Sequence, residues 1–326
     1  MPHSATTQAC TAPRTLRYKM EKDLFLMLKE ASPRGRILTG APLSDFTSFR
    51  TGGPADYVVI PSDEDGIRNI ILLAKANEIP YYIIGNGTNL LVSDDGFRGI
   101  VIVIRDGKSD VSYEERGDEV LVTAHAGASL AKVAYDAARK GLAGFEFAAG
   151  IPGSVGGAVF MNAGAYGGEI KDVIVSARVM DTEGNVFTLD RDGLELSYRH
   201  SAVGERGLIV LDAVFALKRG DTEAILAQIS ELNARRREKQ PLEYPSAGST
   251  FKRPEGYFAG KLIEEAGLKG YSVGDACVSE KHCGFVINKG RATSSDIIKL
   301  IREVSERVYR NSGVRLEPEV RMIGFD

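Results

Sequence analysis

Hydrophobic residues recur at intervals of three and four residues in several segments and predict amphipathic helices there. The most regular stripe runs from Ile297 to Val308, and Gly313 is expected to end that helix. Ser62 and Ser129 are expected to cap two earlier helices. The predicted helices cover residues 16–31, 64–77, 129–141, 221–239, 259–266 and 294–311.

Short runs of β-branched and other apolar residues between these helices predict strands. The runs lie at residues 79–84, 90–92, 100–104, 120–124, 173–180, 186–189, 208–217, 273–278, 284–288 and 317–321. Pro241, Pro245 and Gly248 interrupt the pattern after the fourth helix. They predict a domain boundary near residues 239–245, followed by a smaller part with an α+β pattern.

The segment from Phe147 to Glu169 differs from its surroundings because seven of its residues are glycine. A flexible linker would be polar, whereas this segment also carries Ile151, Val155 and Phe160, which belong in an interior. Glycine in an apolar setting indicates backbone that approaches a flat or anionic ligand closely, with amide groups free to donate. Close packing of the segment without a ligand is the alternative.

A second glycine cluster, from Gly85 to Asn89, follows a predicted buried strand and calls for the same kind of partner. A dinucleotide-binding turn is excluded, because Leu90 stands where that motif needs a third small residue and no helix follows. Neither glycine cluster contains the Gly-Lys-Ser/Thr sequence of a P-loop. Two amide-rich loops of this kind suit a large ligand with a central pyrophosphate, such as FAD.

Composition and charge narrow the classes of function. The 326 residues, 43% of them hydrophobic, are typical of a soluble protein of two or three domains. A net charge of -3 favours neither nucleic acid nor a membrane as partner. Residues 1–16 lack the apolar core of a signal peptide and are predicted to be a disordered extension of a cytoplasmic protein. Three cysteines and four histidines, in no metal-binding spacing, predict that no metal is bound.

Six motifs follow one another along the chain. They are R-T-G-G-P-A (50–55), G-N-G-T-N-L-L-V (85–92), A-G-I-P-G-S-V-G-G-A-V-F-M-N-A-G-A-Y-G (149–167), S-Y-R-H-S (197–201), A-G-S-T-F-K (247–252) and L-E-P-E-V-R-M-I-G (316–324). In content and order they resemble the UDP-N-acetylenolpyruvoylglucosamine reductases, flavin enzymes of peptidoglycan precursor synthesis. The resemblance covers almost everything after about residue 37, and the combination of motifs is highly specific.

The resemblance implies a fold and a division into domains. The fold would be α+β, with a two-lobed FAD-binding domain of the vanillyl-alcohol-oxidase (PCMH) type and a smaller α+β C-terminal domain that binds substrate. Residues 17–104 would form lobe 1, joined by a C-terminal strand within 314–326. Residues 105–238 would form lobe 2, and residues 239–313 the substrate-binding domain.

The resemblance also implies the reaction. NADPH would reduce non-covalently bound FAD and leave, and UDP-N-acetylglucosamine enolpyruvate would take its place, receiving a hydride at C3 and a proton at C2. Ser249 would deliver the proton, and Arg199 and Glu319 would stabilise the enolate. Tyr198, Lys239 and His282 would contact the substrate, Lys239 at the UDP phosphates. The residues expected to bind FAD are Gly85, Asn86, Gly87, Thr88, Asn89, Gly150, Ile151, Pro152, Gly153, Ser154, Gly156, Gly157, Ala158 and Asn162.

The chain departs from one branch of that family. There a loop after the strand corresponding to residues 208–217 carries a tyrosine that covers the uridine, whereas here Arg219 and Gly220 lead straight into the next helix. The chain therefore resembles the shorter, second subtype. Two other functions stay open: a flavin oxidase or dehydrogenase of the same fold, and a nucleotide-binding module without catalysis. No obligate protein partner is expected.

Overall fold

A computed structural model of the protein describes the backbone of residues 14–105 and 111–325 and the side chains from residue 23 onwards. Residues 1–13 of the predicted extension therefore lie outside the described residues, whereas its last three residues belong to a helix that begins at Arg14. Within the described ranges, no helix is both long enough and apolar enough to cross a membrane.

The first lobe is built on a four-stranded sheet. Its elements are α1 (Arg14–Ala31), β1 (Arg36–Pro42), β2 (Pro54–Ile60), α2 (Glu64–Ala76), β3 (Tyr81–Ile84), β4 (Leu90–Val92) and β5 (Phe97–Val103). The strand order is β1-β2-β5-β3, with β1 antiparallel to β2 and the other neighbours parallel. Helix α2 packs its apolar face into the core, and its N-cap is Asp63, which accepts a hydrogen bond from the Gly66 amide at 2.9 Å. The expectation that Ser62 caps this helix is therefore wrong by one residue.

The second lobe is an antiparallel sheet covered by helices. Its strands run in the order β12-β11-β13-β7-β6, and β8 also pairs with β13. The rings of Phe145 and Phe215 meet in its core at 4.9 Å between centroids. The elements are β6 (Val111–Arg116), β7 (Glu119–His125), α3 (Leu130–Arg139), β8 (Leu142–Ala143), α4 (Val155–Phe160), β9 (Gly164–Ala165), β10 (Gly168–Glu169), α5 (Ile170–Val173), β11 (Ile174–Met180), β12 (Val186–Asp190), α6 (Ala202–Glu205), β13 (Ile209–Arg219) and α7 (Thr222–Lys239).

The C-terminal part is a three-stranded sheet packed against a long helix. Its elements are α8 (Ala259–Glu265), β14 (Ser272–Val273), β15 (Ala276–Val278), β16 (Val286–Asn288), α9 (Ser294–Ser312) and β17 (Arg321–Ile323). Helix α9 starts with a capping box between Thr293 and Asp296 and buries the predicted apolar stripe. Gly313 follows it with a φ of 73°, so the predicted left-handed C-cap is confirmed.

The C-terminal part is anchored on the first lobe. Strand β17 lies parallel to β4, and the carbonyl of Phe49 accepts a 3.1 Å hydrogen bond from the buried Asn288 amide. The side chain of Phe49, which is fully buried, belongs to the core of the C-terminal part. Asp94 of the first lobe accepts hydrogen bonds from the first amides of α9.

Two local features differ from the sequence-based expectation. The strand predicted at residues 317–321 begins only at Arg321, because residues 317–319 run beside residues 250–252 instead. Within the glycine-rich segment, residues 155–160 form helix α4, which the pattern did not predict. Glycine disfavours helix, but the Ser154 hydroxyl caps this one and the carbonyls of residues 126 and 128 accept its first amides.

Candidate active site

The two glycine-rich segments meet at one cavity of about 1350 Å³. Its wall also includes parts of α7 and of the C-terminal part of the chain. Every residue expected to bind FAD lines this cavity except Asn162, whose side chain is fully buried elsewhere. The cavity also reaches the three predicted catalytic residues, Arg199, Ser249 and Glu319.

Close contacts within the protein explain two of these glycines, Gly85 and Gly87. The Asn86 side chain donates to the Pro152 carbonyl at 3.0 Å and joins the segments directly. A Cβ atom at Gly85 would lie 2.1 Å from the Ser154 hydroxyl oxygen. At Gly87, which has a φ of 64°, a Cβ atom would lie 1.9 Å from the Phe46 carbonyl oxygen. Only glycine fits at either position.

Several donors at the cavity wall have no partner within the chain. The amides of Gly87, Thr88 and Gly153 donate to no acceptor among residues 14–105 and 111–325. Arg236 forms no ion pair within the same ranges. Its side chain lines the cavity beside Gly150, and a Cβ atom added to Gly150 would lie 3.0 Å from Arg236 Nη1. Burial lowers the pKa of its guanidinium. Free amides and an unpaired cation suit a bound diphosphate, so these residues fit FAD.

Arg199 and Glu319 form an ion pair at one end of the cavity. Arg199 Nε lies 2.6 Å from Glu319 Oε1, although 120 residues separate them in sequence. Both side chains are largely buried, with 21% and 10% exposure. Arg199 has a φ of 54° and lies in a tight turn that opposes Ser197 and His200. The turn directs the guanidinium towards the glutamate.

The Glu319 carboxyl lies in surroundings that disfavour its charge. Burial raises its pKa, while the neighbouring Arg199 guanidinium opposes the rise. Its backbone is fixed on both sides: the Glu319 amide donates to the Thr250 carbonyl at 2.8 Å, and the Asn89 side chain donates to the Glu319 carbonyl at 3.1 Å. Asn89 thus connects the first glycine cluster to the backbone of Glu319.

Ser249 lies beside this ion pair on a rigid support. The Thr250 hydroxyl accepts a hydrogen bond from the Val286 amide at 2.9 Å, and the Thr250 amide donates to the Gly284 carbonyl at 2.9 Å. Ser249 itself is half-buried, and its hydroxyl forms no hydrogen bond with any residue that the structure describes. It therefore remains available to a ligand.

A second cavity of about 440 Å³ shares Arg199, Ser249 and Glu319 with the first. The Tyr198 hydroxyl accepts a hydrogen bond from the Arg253 amide at 3.0 Å on its wall. The Arg253 guanidinium lies 4.0 Å from the centre of the Phe258 ring, which is 58% exposed. Cationic and aromatic groups on one wall suit a ligand with phosphate and a planar ring.

The three residues expected to contact substrate are placed differently. Tyr198 and His282 line the second cavity. The His282 Nδ1 accepts a hydrogen bond from the Gly284 amide at 3.1 Å, and burial lowers the pKa of its ring. Lys239, however, lines neither cavity and is exposed at the end of α7. The α7 side chains that reach the first cavity are those of Asn233, Arg236 and Arg237.

Several cations of the site were not predicted, among them Arg236, Arg253 and Arg321. A run of charged residues such as Arg235 to Lys239 is typical of a solvated helix face, and helical spacing alone does not say which member turns inward. Arg321 lies over the Phe160 ring at 4.7 Å and belongs to the last motif, residues 316–324, so the motif itself was a signal for it. In the described part of the chain, no cluster of His, Cys, Asp and Glu could hold a metal ion.

Comparison with known proteins identifies the family. The C-terminal domain of UDP-N-acetylenolpyruvoylglucosamine reductase matches residues 240–323, and an FAD binding domain matches residues 55–190. A UDP-N-acetylenolpyruvoylglucosamine reductase of Agathobacter rectalis is 55% identical over 313 residues, which are 94% of this chain and 99% of the relative. The chain belongs to the UDP-N-acetylenolpyruvoylglucosamine reductase family. It is an FAD-dependent oxidoreductase, as the motifs predict.

Other members of the reductase family support the same assignment. The reductase of Lachnoclostridium phytofermentans is 54% identical over 94% of this chain and 98% of its own length. The crystal structure of the reductase from Thermus caldophilus superposes with a TM-score of 0.74 at 35% identity, covering 89% of this chain and 98% of that one. The predicted fold class, α+β with an FAD-binding domain and a smaller C-terminal domain, is confirmed.

Proposed function

We propose that the protein reduces UDP-N-acetylglucosamine enolpyruvate to UDP-N-acetylmuramate, with NADPH as the reductant and non-covalent FAD as the cofactor. One observation carries the proposal: Ser249, Arg199 and Glu319 lie together where the large cavity meets the smaller one. The large cavity has the glycine-rich walls that FAD requires. The smaller cavity has room and charge for the rest of a nucleotide sugar.

The chain's own groups would hold the cofactor through its diphosphate. The free amides of Gly87, Thr88 and Gly153 would donate to the phosphate oxygens, and each such charge-assisted hydrogen bond contributes about 1.5–3 kcal/mol. Arg236 would place a positive charge at the glycine-rich wall of residue 150. When bound, FAD carries the hydride from NADPH to the substrate.

Ser249 would supply the proton at C2 of the enolpyruvyl group. A serine hydroxyl is a weak acid, but the carbon that has just gained negative character is a strong base, so the transfer needs no histidine relay. The hydroxyl has no competing partner in the described part of the chain. Its support by Thr250 fixes the direction from which the proton arrives.

Arg199 and Glu319 would stabilise the charge that develops during the transfer. Arg199 uses Nε on Glu319, which leaves the terminal guanidinium nitrogens for the substrate carboxylate. Preorganised charge of this kind typically lowers a barrier by ~3–4 kcal/mol. The Glu319 carboxyl is only 10% exposed, so little water would compete with the substrate for it.

The nucleotide end of the substrate would occupy the smaller cavity. Arg253, Lys261 and Lys281 bring positive charge to its wall, and the latter two form only loose ion pairs of 3.7 and 3.8 Å. Phe258 offers an exposed ring for uracil. These residues would hold the uridine in place of the tyrosine-bearing loop that the chain lacks.

Arg253→Ala tests the assignment of the smaller cavity. We expect a raised KM for the nucleotide substrate, because Arg253 lines the smaller cavity to which its nucleotide end is assigned. Lys239→Ala, at a position that lines neither cavity, is the matched control and should leave both kinetic constants alone. An effect of Lys239→Ala as large as that of Arg253→Ala would contradict this placement.

The reaction itself is tested by anaerobic visible spectroscopy of the purified protein. We expect a flavin band that bleaches with NADPH and returns on addition of UDP-N-acetylglucosamine enolpyruvate. A band that returns only with oxygen would favour an oxidase of the same fold. Absence of a flavin band after reconstitution with FAD would reject the proposal.

We also retain the predicted organisation: lobe 1 at 17–104 with the strand from 314–326, lobe 2 at 105–238, and the substrate-binding domain at 239–313. The end of α7 at Lys239 and the pairing of β17 with β4 support these limits. We place the reaction in the cytoplasm, where NADPH is supplied.

A further inference from the structure

Asn162 differs from every other residue expected to bind FAD. Its side chain has 0% exposure and lines neither cavity. Its backbone has a φ of 42°, in the left-handed region that asparagine tolerates better than most residues. A buried polar side chain in a special backbone conformation requires an explanation, and contact with a ligand does not supply it.

The Asn162 amide is fully used within the protein. Nδ2 donates to Glu169 Oε2 at 2.6 Å and to the Ser197 carbonyl at 3.0 Å. Oδ1 accepts from the Lys171 amide at 2.9 Å. The Asn162 side chain therefore links the glycine-rich segment to Lys171 and to Ser197. Ser197 lies two residues before Arg199.

Ser197 opens the turn that carries Tyr198 and Arg199. Its carbonyl accepts from the His200 amide at 3.1 Å as well as from Asn162, and its amide donates back to the His200 carbonyl at 3.2 Å. Because Arg199 lies inside this closed turn with a positive φ, a shift of the Ser197 carbonyl moves the whole guanidinium.

A second bond connects the same two segments. The Ser201 hydroxyl donates to the Phe160 carbonyl at 2.7 Å, just beyond the turn. Phe160 and Met161 line the large cavity, immediately before Asn162. The wall of the cofactor cavity and the turn that holds Arg199 are thus fastened to each other on both sides of the turn.

We infer that Asn162 is a positioning residue, which sets the place of Arg199 relative to the cofactor wall through the Ser197 carbonyl, and that it is not a ligand of FAD. This inference rests on the proposed function, because Arg199 acts only on the enolpyruvyl substrate. Loss of the bond should therefore impair the reaction with that substrate more than the reaction with NADPH.

Asn162→Asp is the sharpest test. Aspartate keeps the size, the tolerance of positive φ and the acceptor for the Lys171 amide, but it removes both donors. We expect flavin reoxidation by UDP-N-acetylglucosamine enolpyruvate to slow by about 100-fold, the typical cost of a misplaced group. Flavin reduction by NADPH and the dissociation constant of FAD should stay close to the wild-type values.

A double variant separates positioning from stability. When Asn162→Asp is combined with Glu169→Gln, the amide at position 169 can donate to the carboxylate at position 162, so the repulsion between two carboxylates is removed. The Ser197 carbonyl, however, still faces an acceptor instead of a donor. We expect the melting temperature to recover while the substrate half-reaction stays slow. Glu169→Gln alone, which keeps an acceptor for Asn162, should leave that half-reaction near the wild-type rate.

Three results would overturn the inference. One is a weaker FAD complex whose half-reactions are normal once FAD is saturating, since this marks a cofactor ligand. Another is equal slowing of both half-reactions, and the third is recovery of rate together with melting temperature in the double variant. Each result is compared with the wild-type enzyme under the same conditions. If the substrate does not reoxidise the flavin of the wild-type enzyme, the proposed function is rejected instead.

Discussion

The three candidate catalytic residues come from distant segments of the chain and differ in how firmly their side chains are held. They are Ser249, Arg199 and Glu319. The Arg199 guanidinium is tied to Glu319, and the Glu319 backbone is held from both sides. The Ser249 hydroxyl alone is unengaged among the described residues. Fixed charges and one free proton donor are what a hydride transfer followed by protonation requires.

Ser249→Ala should affect only the second half of the reaction. Flavin reduction by NADPH should be nearly intact, while reoxidation by the enolpyruvyl substrate should slow by about 10²–10⁴-fold, the usual contribution of a general acid. Ser249→Cys should recover part of the rate, because a thiol is more acidic than a hydroxyl. Stopped-flow absorbance of the flavin measures both steps, and equal losses in both would exclude Ser249 as the proton donor.

The charge state of Glu319 should depend on Arg199. Burial raises the pKa of the Glu319 carboxyl, and the guanidinium opposes that rise. In Arg199→Gln the opposing charge is gone, so the pKa should rise further. The limb of the pH–rate profile that disappears in Glu319→Gln should accordingly move to higher pH in Arg199→Gln. A limb that stays in place or moves to lower pH would show that another group titrates.

Sequence motifs predicted three candidate catalytic residues but not the roles of their neighbours. The motifs around Arg199 and Ser249 predicted residues that the structure brings together across two cavities. The motif containing Asn162 suggested a cofactor ligand, whereas the side chain is buried among backbone groups. Motif membership indicates that a residue matters, and only the three-dimensional neighbours show whether it touches the ligand or holds a residue that does.

At the scale of elements, helix α9 joins the C-terminal part to the first lobe through its first turn. The Asp94 carboxylate accepts from the amides of Ser294 and Ser295 at 2.7 and 2.8 Å and from the Ser295 hydroxyl at 2.7 Å. A negative charge at a helix N-terminus is favourable. Burial would raise the pKa of Asp94, but these hydrogen bonds outweigh it and lower the pKa.

Asp94→Asn should lower the free energy of unfolding at pH 7 by about 1 kcal/mol, the typical loss of a helix cap. Because the folded pKa is depressed, the contribution is present above the unfolded pKa and disappears as the pH falls through the folded value. The difference between wild type and variant should therefore shrink in acid. Urea unfolding at several pH values measures it.

Asp95→Asn is the control for this prediction. Asp95 is exposed and adjacent, and within the described residues its carboxylate forms no hydrogen bond or ion pair. This variant should leave stability nearly unchanged at every pH. A loss in Asp95→Asn equal to that in Asp94→Asn would point to general charge effects rather than to the cap.

The elements divide into those that local pattern specifies and those that tertiary contacts specify. Helix α9 has a capping box, an apolar stripe and a left-handed glycine, so its limits followed from sequence almost to the residue. Helix α4 has two glycines in six residues and forms because neighbouring carbonyls accept its amides. No local pattern contains that information.

At the scale of the whole molecule, the parts are bound to one another at several places. Arg178 of lobe 2 pairs with Glu64 of lobe 1 at 2.7 Å, and Arg68 of lobe 1 donates to the Gly184 carbonyl at 2.9 Å. Phe49 of the first lobe lies in the core of the C-terminal part. Relative movement of the parts would have to break these contacts, so the geometry of the site should persist between substrates.

Phe49→Ala should test the coupling between the first lobe and the C-terminal part. Removal of a fully buried phenylalanine typically costs about 3–5 kcal/mol. We expect the C-terminal part to unfold at a lower denaturant concentration than the rest. The transition measured by circular dichroism should then no longer coincide with the transition measured by flavin release. Phe187→Ala, at a ring that is 39% exposed, should change stability by less than about 1 kcal/mol and preserve one transition. Coincident transitions in Phe49→Ala would contradict the coupling.

The position of β17 near the end of the chain affects the order in which the protein can fold during its synthesis. The ribosome makes the chain from its N-terminus, yet the Asn89 side chain binds the Glu319 carbonyl, 230 residues later, and β4 has its parallel neighbour in the same late segment. Long-range pairings of this kind form slowly. The first lobe is thus among the earliest segments to emerge and among the last to be finished. A nascent chain that ends before residue 319 has most of the residues that line the cofactor cavity but lacks the carboxylate of Glu319.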